Sequence, residues 1–282
     1  MTTNNSPNPL PDLDAKLDRE AEFWDKTARA SEARDPDLYR VKMSDRHDRS
    51  VPWLPYLGFE DYLGSVLNHL GDVRDKRILD LGCGTGFMAS LLAANGAMVD
   101  AVDVSESSLE VARWRADVSG TTNRIRFHQA PAERLDFDDS SFDGVCGAFV
   151  LHHLDLSLAV PEIHRVLRPG APAAFIETAA GSAVLMAARR LLPGKLGIEK
   201  ASSSDEAPLG HSARSILGGT FGALVTIAYP QTLFFRMLSY VPPLHLRPAQ
   251  KIFSALDAAM HTVSPLRSWS YYAVVRVTRP FP

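Results

Sequence analysis

The sequence predicts an α/β protein whose core is a doubly wound, mostly parallel β-sheet with helices on both faces. From residue 77 onward, short apolar runs alternate with stretches of helical periodicity, which is typical of repeated strand–helix units. The first of these runs ends in a glycine-rich turn, and a predicted helix begins directly after it. A length of 282 residues is sufficient for one large domain with a substantial core.

Two helices are predicted before the sheet. Residues Asp12 to Arg34 place apolar side chains at helical spacing among many charges, which indicates an amphipathic surface helix. The second predicted helix covers Phe59 to Leu70 and ends at Gly71. The proline-rich segment between the two helices is predicted to be irregular. We therefore expect a disordered leader at 1–11, a helical cap or lid at 12–71, and a sheet domain at 72–282 with a substrate-side insertion around 182–265.

The remaining elements follow in order. Apolar runs rich in β-branched residues predict strands at 77–81, 98–103, 124–128, 144–148, 173–177, 223–229 and 271–278. Helical spacing predicts helices at 86–94, 107–118, 157–167, 185–192 and 249–261. Residues 199–209 are polar and rich in serine, and we expect a loop there.

Composition excludes several classes of protein. A net charge of −3 argues against a general nucleic-acid binder, which needs a large basic excess. The two cysteines, Cys83 and Cys146, cannot build a disulfide framework or a zinc site, so we expect no metal site. The N-terminus lacks the apolar core of a signal peptide, and Pro230 and Arg236 interrupt the longest apolar region. We expect a cytoplasmic protein without stable membrane insertion.

The glycine-rich turn carries the main chemical signal. A buried run leads into Gly82, Gly84 and Gly86, which permit a tight turn and close approach of a ligand to the backbone at a helix N-terminus. Nicotinamide-dependent enzymes use a similar turn, so the triplet alone is weak evidence. Asp103 ends the second predicted strand, 21 positions after Gly82, where a carboxylate can accept both hydroxyls of a ribose. The alternative for Asp103 is capping of the next helix.

Four segments in the order ILDLGCGTG, VDAVDVSESSLEVAR, FDGVCGAFVLHHL and EIHRVLRPG closely resemble successive motifs of the class I S-adenosylmethionine-dependent methyltransferases that act on small molecules. The resemblance spans about residues 77 to 178. It implies a Rossmann-like, seven-stranded sheet with an antiparallel last strand, and S-adenosyl-L-methionine as cofactor. It also implies methyl transfer to an O, N or C nucleophile of a small molecule. A cofactor-binding protein without transferase activity and a nicotinamide-dependent oxidoreductase remain as alternatives.

The resemblance also implies a set of cofactor-binding residues, in which Asp80 orients the amino group of the methionine part, Asp103 holds the ribose and Val104 lies against the adenine. The full set is Asp80, Gly82, Cys83, Gly84, Gly86, Asp103, Val104, Ala132, Glu133 and Ala148. One position departs from the family. Pro131 stands where an aspartate usually touches the adenine amino group, so we expect the backbone N–H groups of Ala132 and Glu133 to address the ring instead.

Three side chains are candidate catalytic bases, which are needed when the acceptor must lose a proton. His152 and His153 follow the fourth strand and Glu177 ends the fifth, so all three are predicted at the edge of the sheet that holds the cofactor. Adjacent residues cannot both face the pocket, so at most one histidine is expected to serve. Packing or helix capping is the alternative role for each of the three.

Aromatic residues in the N-terminal and late segments indicate a lipophilic or aromatic small-molecule acceptor. The aromatic residues are Phe23, Trp24, Tyr39, Trp53, Tyr56, Phe234, Phe235 and Tyr240, and Met237 belongs to the same set. Ordinary core packing is the alternative, and a homodimer contact through exposed aromatics is compatible with the same pattern. The basic residues between 40 and 49 are interleaved with Asp45 and Asp48, which favours a self-paired surface segment over an anion site.

Overall fold

The computed structural model describes residues 10–29, 35–51, 57–192, 208–241, 244 and 246–281. Its centre is one seven-stranded sheet with strand order β3-β2-β1-β4-β5-β7-β6. The strands are β1 (Arg77–Leu81), β2 (Met98–Asp103), β3 (Ile125–Gln129), β4 (Gly144–Ala148), β5 (Pro172–Thr178), β6 (Val225–Ala228) and β7 (Tyr272–Thr278). The predicted fold class, a mostly parallel seven-stranded sheet, is confirmed.

The strand pairing fixes which strand ends lie together. Strands β1 to β5 pair in parallel, with Leu79 opposite Asp100 of β2 and Val145 of β4. Strand β7 is antiparallel to both of its neighbours, β5 and β6, and therefore lies inside the sheet and not at its edge. The order reverses between β1 and β4, so the loops after these strands diverge and leave a crevice at their carboxyl ends.

Helices cover both faces of the sheet. They are α1 (Leu10–Arg29), α2 (Pro36–Tyr39), α3 (Phe59–Leu70), α4 (Phe87–Ala94), α5 (Glu106–Ser119), α6 (Leu156–Val166), α7 (Ala183–Leu191), α8 (His211–Phe221) and α9 (Arg247–Thr262). Helix α1 begins two residues inside the predicted leader, whose first nine residues lie outside the described ones. Helix α8 was not predicted from the sequence. Within the described residues, no helix is long and apolar enough to cross a membrane.

The core consists of two apolar layers, one on each face of the sheet. Alternate residues of β1 show the division, because Ile78 packs into one layer while Leu79 and Leu81 pack into the other. The first layer includes Val66 of α3 and the second includes Val160 of α6, all of them less than 2% exposed. Strands buried on both faces explain the short, nearly continuous apolar runs of the sequence.

Helix α1 and the segment after it are joined to α5 by polar contacts. Asp25 of α1 accepts hydrogen bonds from Ser105 Oγ at 2.6 Å and from Ser107 N at 3.1 Å. Farther along, the fully buried Arg115 of α5 donates from Nη1 to Asp48 Oδ2 at 2.6 Å and from Nη2 to Ser50 Oγ at 2.9 Å. These contacts hold both segments beside the carboxyl ends of β1 and β2.

Candidate cofactor and acceptor site

A cavity of about 440 Å³ lies at the carboxyl ends of β1, β2 and β4 and has a size typical of small-molecule sites. Its floor comes from the loops after these strands, including Gly82, Asp103 and Ala148. Helix α1 lines it from the other side with Leu17, Glu20, Trp24, Thr27 and Ala28. The cavity therefore lies at the topological switch point of the sheet, where open α/β sheets bind their ligands.

The glycine-rich turn after β1 forms one wall of the cavity, and each glycine is required for a different reason. Gly82 has φ 63°, and a Cβ there would lie 2.4 Å from Cγ2 of Val150. Gly86 has φ 78°, and a Cβ there would lie 2.7 Å from Cβ of Ala112 in α5. Gly84 has φ 50° and no atom within 4 Å of a built Cβ, so its backbone faces open space. The turn can therefore accept a ligand directly against the backbone.

Asp80 places a carboxyl group beneath this turn. The residue is 1% exposed, lines the cavity, and its Oδ2 has no hydrogen-bond partner among the described residues. Burial, reinforced by the negative charge of Asp103, raises the pKa of Asp80 to about 7. A buried carboxylate oxygen without a donor is costly, and a cationic group bound in the cavity would compensate it. The site therefore fits an ammonium group.

Asp103 occupies the end of β2 and also lines the cavity. Its Oδ2 accepts from Gly84 N at 2.8 Å and its Oδ1 from Ser105 N at 2.9 Å, so it holds the glycine turn against the start of α5. Burial raises the pKa of Asp103. The cap of α5 is Ser105, whose Oγ accepts from Ser108 N at 3.0 Å. The helix-capping alternative for Asp103 is therefore wrong.

The predicted cofactor residues converge on this one cavity, since all of them except Gly86 line it. Val104 and Ala132 line the cavity together with Asp103. Glu133 lines the same region, and its Oε1 accepts from Asp155 N at 2.9 Å. Gly86 lies outside the lining, where it allows α4 to pack against α5.

Two of the three candidate bases, His152 and Glu177, lie outside the cavity lining. Glu177 is fully buried and accepts from Val150 N at 3.0 Å and Leu151 N at 2.7 Å. Its Oε2 lies 2.6 Å from His152 Nδ1. These contacts fix the loop after β4, in which Phe149 has the unusual φ of 58° and lines the cavity. The geometry corresponds to the packing alternative for both residues.

His153 is the candidate base that lines the cavity. Its Nδ1 lies 3.3 Å from Oε2 of Glu20, and the two side chains are 11% and 9% exposed. Trp24 donates from Nε1 to the same Glu20 oxygen at 3.2 Å, and its ring meets the His153 ring edge-on with centroids 5.5 Å apart. Helix α1 thus places a carboxylate against a cavity histidine. Glu20 was not predicted from the sequence, where its only signal is an acidic residue four positions before Trp24.

The aromatic residues expected to form the acceptor pocket do not come together in the described part of the chain. Trp24 lines the cavity, but Tyr39 packs on Trp114, and Phe234 packs on Phe235 and Trp269. Trp53, Tyr56 and the side chain of Tyr240 lie outside the described residues. No described residue between 182 and 265 lines the cavity. Its apolar walls come instead from residues that sequence reasoning had assigned to the core or passed over, namely Leu17, Val51, Phe59, Phe87, Met88 and Phe149.

The basic segment near residue 45 is self-paired, as the alternation of charges favoured. Arg49 Nη2 lies 3.8 Å from Asp45 Oδ2, and Asp48 is bound by Arg115. Asp48 also lines the cavity.

Comparisons with known proteins agree with this geometry. Residues 79–175 match the model of a family described as methyltransferase domain. A demethylmenaquinone methyltransferase of Clavibacter sepedonicus is 38% identical over 130 residues, which are 46% of this chain and 52% of that protein. The O-methyltransferase rstn1 of Aspergillus nomiae is 37% identical over 110 residues, 38% of this chain and 49% of that protein. The chain thus spans about half the length of the curated relatives it matches.

A solved structure shares the fold over nearly the whole chain. It is a geranyl diphosphate C-methyltransferase from Streptomyces coelicolor A3(2), with a TM-score of 0.57 and 15% identity, covering 94% of this chain and 98% of that one. The matched residues 79–175 run from β1 through β5 and include the glycine turn, Asp103 and the two histidines. In this chain they build the first five strands of the sheet and loops that line the cavity, so this part of the chain is similar to a methyltransferase domain.

Proposed function

We propose that this chain is an S-adenosyl-L-methionine-dependent methyltransferase that methylates an oxygen nucleophile of a small, hydrophobic or aromatic metabolite. The observation that carries the proposal is the cavity at the carboxyl ends of the strands, in which the buried carboxyl group of Asp80 and the half-buried one of Asp103 lie beside the glycine turn while the opposite wall is largely apolar. A nitrogen or carbon nucleophile is the alternative acceptor chemistry. A protein that binds the cofactor without transferring a methyl group is the alternative function.

The residues present fit the cofactor. Asp80 has a buried oxygen ready for an ammonium group, and Asp103 ends β2 where a carboxylate can accept from ribose hydroxyls. The backbone at Ala132 and Glu133 borders the region where the adenine ring is expected, which suits the absence of an aspartate at Pro131. When bound, the cofactor supplies an electrophilic methyl group on a sulfonium sulfur. The protein then has to align the acceptor with that group and exclude water.

The apolar wall supports a hydrophobic acceptor. Trp24 of α1, Phe59 of α3 and Phe149 after β4 border the same cavity from three elements. A strongly polar acceptor would lose hydration against these three side chains, whereas an aromatic or polyene-like one would bury apolar surface. The relative named a demethylmenaquinone methyltransferase supports a quinone-like or natural-product acceptor.

Calorimetric titration of the purified protein with S-adenosyl-L-methionine and with NADH tests the cofactor. Binding of the sulfonium compound alone is expected, and Asp103→Ala should weaken it at least tenfold because the variant lacks a charged hydrogen-bond acceptor. Asp117→Ala, an exposed aspartate on α5, is the matched control and should bind like the wild type. Binding of NADH with comparable affinity would contradict the proposal.

An acceptor panel then tests the transfer. Phenols, hydroquinones, amines and carbon acids are incubated with the cofactor, and S-adenosylhomocysteine release is measured against a no-acceptor control. Turnover is expected first with hydrophobic phenols and hydroquinones. Tight cofactor binding without turnover on any of these classes would favour the non-transferring alternative.

A further inference from the structure

Two adjacent histidines after β4 each face a carboxylate, but in different surroundings. His152 is 5% exposed and pairs with the fully buried Glu177, away from the cavity. His153 pairs with Glu20 from α1, and both side chains line the cavity. The two imidazole rings lie 4.3 Å apart between centroids, with planes at 36°. The His152–Glu177 pair therefore stabilises the loop after β4, whereas the His153–Glu20 pair faces the cavity.

The cavity-facing pair has a defined geometry. Glu20 Oε2 lies at an ion-pair distance of 3.3 Å from His153 Nδ1, and it accepts a hydrogen bond from Trp24 Nε1 at 3.2 Å, which holds the carboxylate beside the ring. The edge-on contact of Trp24 with the His153 ring restricts rotation of the imidazole. A proton on Nδ1 would be attracted by this carboxylate, and that tautomer of the neutral ring would leave the lone pair on Nε2.

We propose that Glu20 is a positioning residue that holds His153 as the general base for an acceptor hydroxyl. This inference rests on the proposed methyl transfer and names the residues that make oxygen methylation possible. The base and its positioning carboxylate come from different segments, since His153 belongs to the loop after β4 and Glu20 to α1. Helix α1 is thereby part of the catalytic machinery and not only a cover.

The acceptor O–H bond breaks and its proton passes to Nε2 of His153. The oxygen electron pair forms the bond to the transferred methyl carbon, and the electrons of the broken carbon–sulfur bond remain on sulfur. His153, now cationic and stabilised by Glu20, afterwards releases the proton to water.

Other charged groups surround His153 and belong in any pH study of it. His152 stacks against it, with Glu177 behind His152. The remaining acidic residues of the cavity lining are Asp48, Asp80, Asp103 and Glu133. Glu20 Oε2 lies 3.3 Å from the Nδ1 atom of His153, so Glu20 is the acidic group to change first.

The first experiment measures the tautomer of His153 and needs no acceptor. Protein labelled with ¹⁵N-histidine is studied by NMR at pH 8.5, with His153→Gln used to assign the resonances. We expect the proton on Nδ1 in the wild type, and a loss of that preference in Glu20→Met, which keeps the chain length but removes the acceptor. Glu22→Met, an exposed position on the same helix, is the matched control and should leave the spectrum unchanged. A proton on Nε2 in the wild type would overturn the proposal.

The second experiment measures turnover with an acceptor found in the panel. We expect His153→Gln to lower kcat about 100-fold and Glu20→Met about tenfold, with unchanged affinity for S-adenosylhomocysteine. Added imidazole should restore part of the activity of His153→Ala, a rescue that a merely structural role would not give. Equal kcat in Glu20→Met and Glu22→Met would refute the role of Glu20.

The two experiments separate this inference from the proposed function. If no acceptor turns over although the cofactor binds, methyl transfer fails, while the tautomer still shows whether Glu20 orients His153. If turnover occurs and His153→Gln keeps wild-type kcat, methyl transfer stands and the base is refuted.

Discussion

At the scale of single residues, Asp80 shows how a fold sets the chemistry of a side chain. In water an aspartate is ionised at neutral pH, but burial at the bottom of the cavity raises the pKa of Asp80 to about 7, and the charge of Asp103 adds to this effect. The group therefore changes charge near physiological pH in the free protein. A bound cation would draw it into the ionised form.

Cofactor affinity should therefore depend on pH. Below about pH 7 the Asp80 carboxyl is increasingly protonated in the free protein, so its attraction for an ammonium group is lost and binding weakens by up to tenfold per pH unit. Calorimetry with S-adenosylhomocysteine between pH 5.5 and 8.5 measures this. Asp80→Asn should bind roughly 10- to 100-fold more weakly at pH 8 and show a flatter profile. Equal slopes in the two proteins would contradict the assignment.

The same residue should affect stability with the opposite sign. Because the folded-state pKa of Asp80 lies above its ordinary value of 3.8, the contribution of this group to stability is present below about pH 4 and is lost as the pH rises to about 7. The free energy of unfolding of the cofactor-free wild type should thus fall relative to that of Asp80→Asn over this range. Urea unfolding of both proteins at pH 4.5, 6 and 8 tests this prediction. A difference in the free energy of unfolding that does not change with pH would show that burial does not penalise the ionised Asp80 carboxyl.

At the scale of elements, the loop after β4 depends on one buried carboxylate. Glu177 accepts hydrogen bonds from two backbone amides of the loop and pairs with His152, and all of these groups lie away from solvent. Removing it would leave two buried N–H groups and a histidine without their acceptor. The positive φ of Phe149 would then lack its support.

Glu177→Ala is accordingly expected to destabilise the protein by about 3–5 kcal/mol, the range for removing one partner of a buried pair. Chemical denaturation measures the loss. His153→Gln, at the neighbouring cavity position, is the comparison and should cost much less because it leaves this network intact. A loss below 1 kcal/mol for Glu177→Ala would mean that the loop does not depend on this carboxylate.

The attachment of α1 to the sheet domain rests on a second small set of contacts. Asp25 accepts from Ser105 Oγ and Ser107 N, and the hydrogen bond from Ser105 lowers its pKa most. Ser105 N in turn donates to Asp103. The helix that lines the cavity is therefore linked through one serine to the carboxylate expected to hold the ribose.

Asp25→Ala should loosen α1 without unfolding the sheet. Amide hydrogen exchange along α1 is expected to become severalfold faster, while exchange in β1 and β4 stays unchanged, because only the helix loses contacts. Asp18→Ala, an exposed position on α1, serves as the matched control. Equal exchange in the two variants would show that the apolar contacts of α1 suffice to hold it.

At the scale of the whole molecule, the cavity couples four parts of the chain, namely α1, the turn after β1, the end of β2 and the loop after β4. A ligand that binds only the assembled cavity stabilises all of them together. Its contribution is about 2.7 kcal/mol at a concentration 100 times its dissociation constant.

S-adenosylhomocysteine at that concentration should raise Tm by about 5 °C or more for a chain of this size. NADH at equal concentration should leave Tm unchanged. Differential scanning calorimetry with the wild type and Asp103→Ala checks both points. A shift of the same size in Asp103→Ala would show that the ligand binds elsewhere.

Much of the sheet could be predicted from sequence because its central strands are buried on both faces. Strands β1, β2 and β4 match their predicted bounds, since a strand buried on both faces appears in the sequence as a short, nearly continuous apolar run. Helix α8 was missed because its two adjacent glycines, Gly218 and Gly219, weaken the helical pattern. Packing against α6, through residues such as Leu217 and Phe221, stabilises it nonetheless.

The sequence by itself predicted the resemblance to methyltransferases, the glycine turn and the position of Asp103 at the end of a strand, because these depend on local backbone geometry and on spacing along one strand–turn–helix unit. The tertiary structure decided which histidine faces the cavity. His152 and His153 are chemically alike and adjacent, and they differ only in the carboxylate that packing brings to each, Glu177 from β5 or Glu20 from α1. Such long-range pairings have no periodicity or motif in the chain, so only the folded arrangement reveals them.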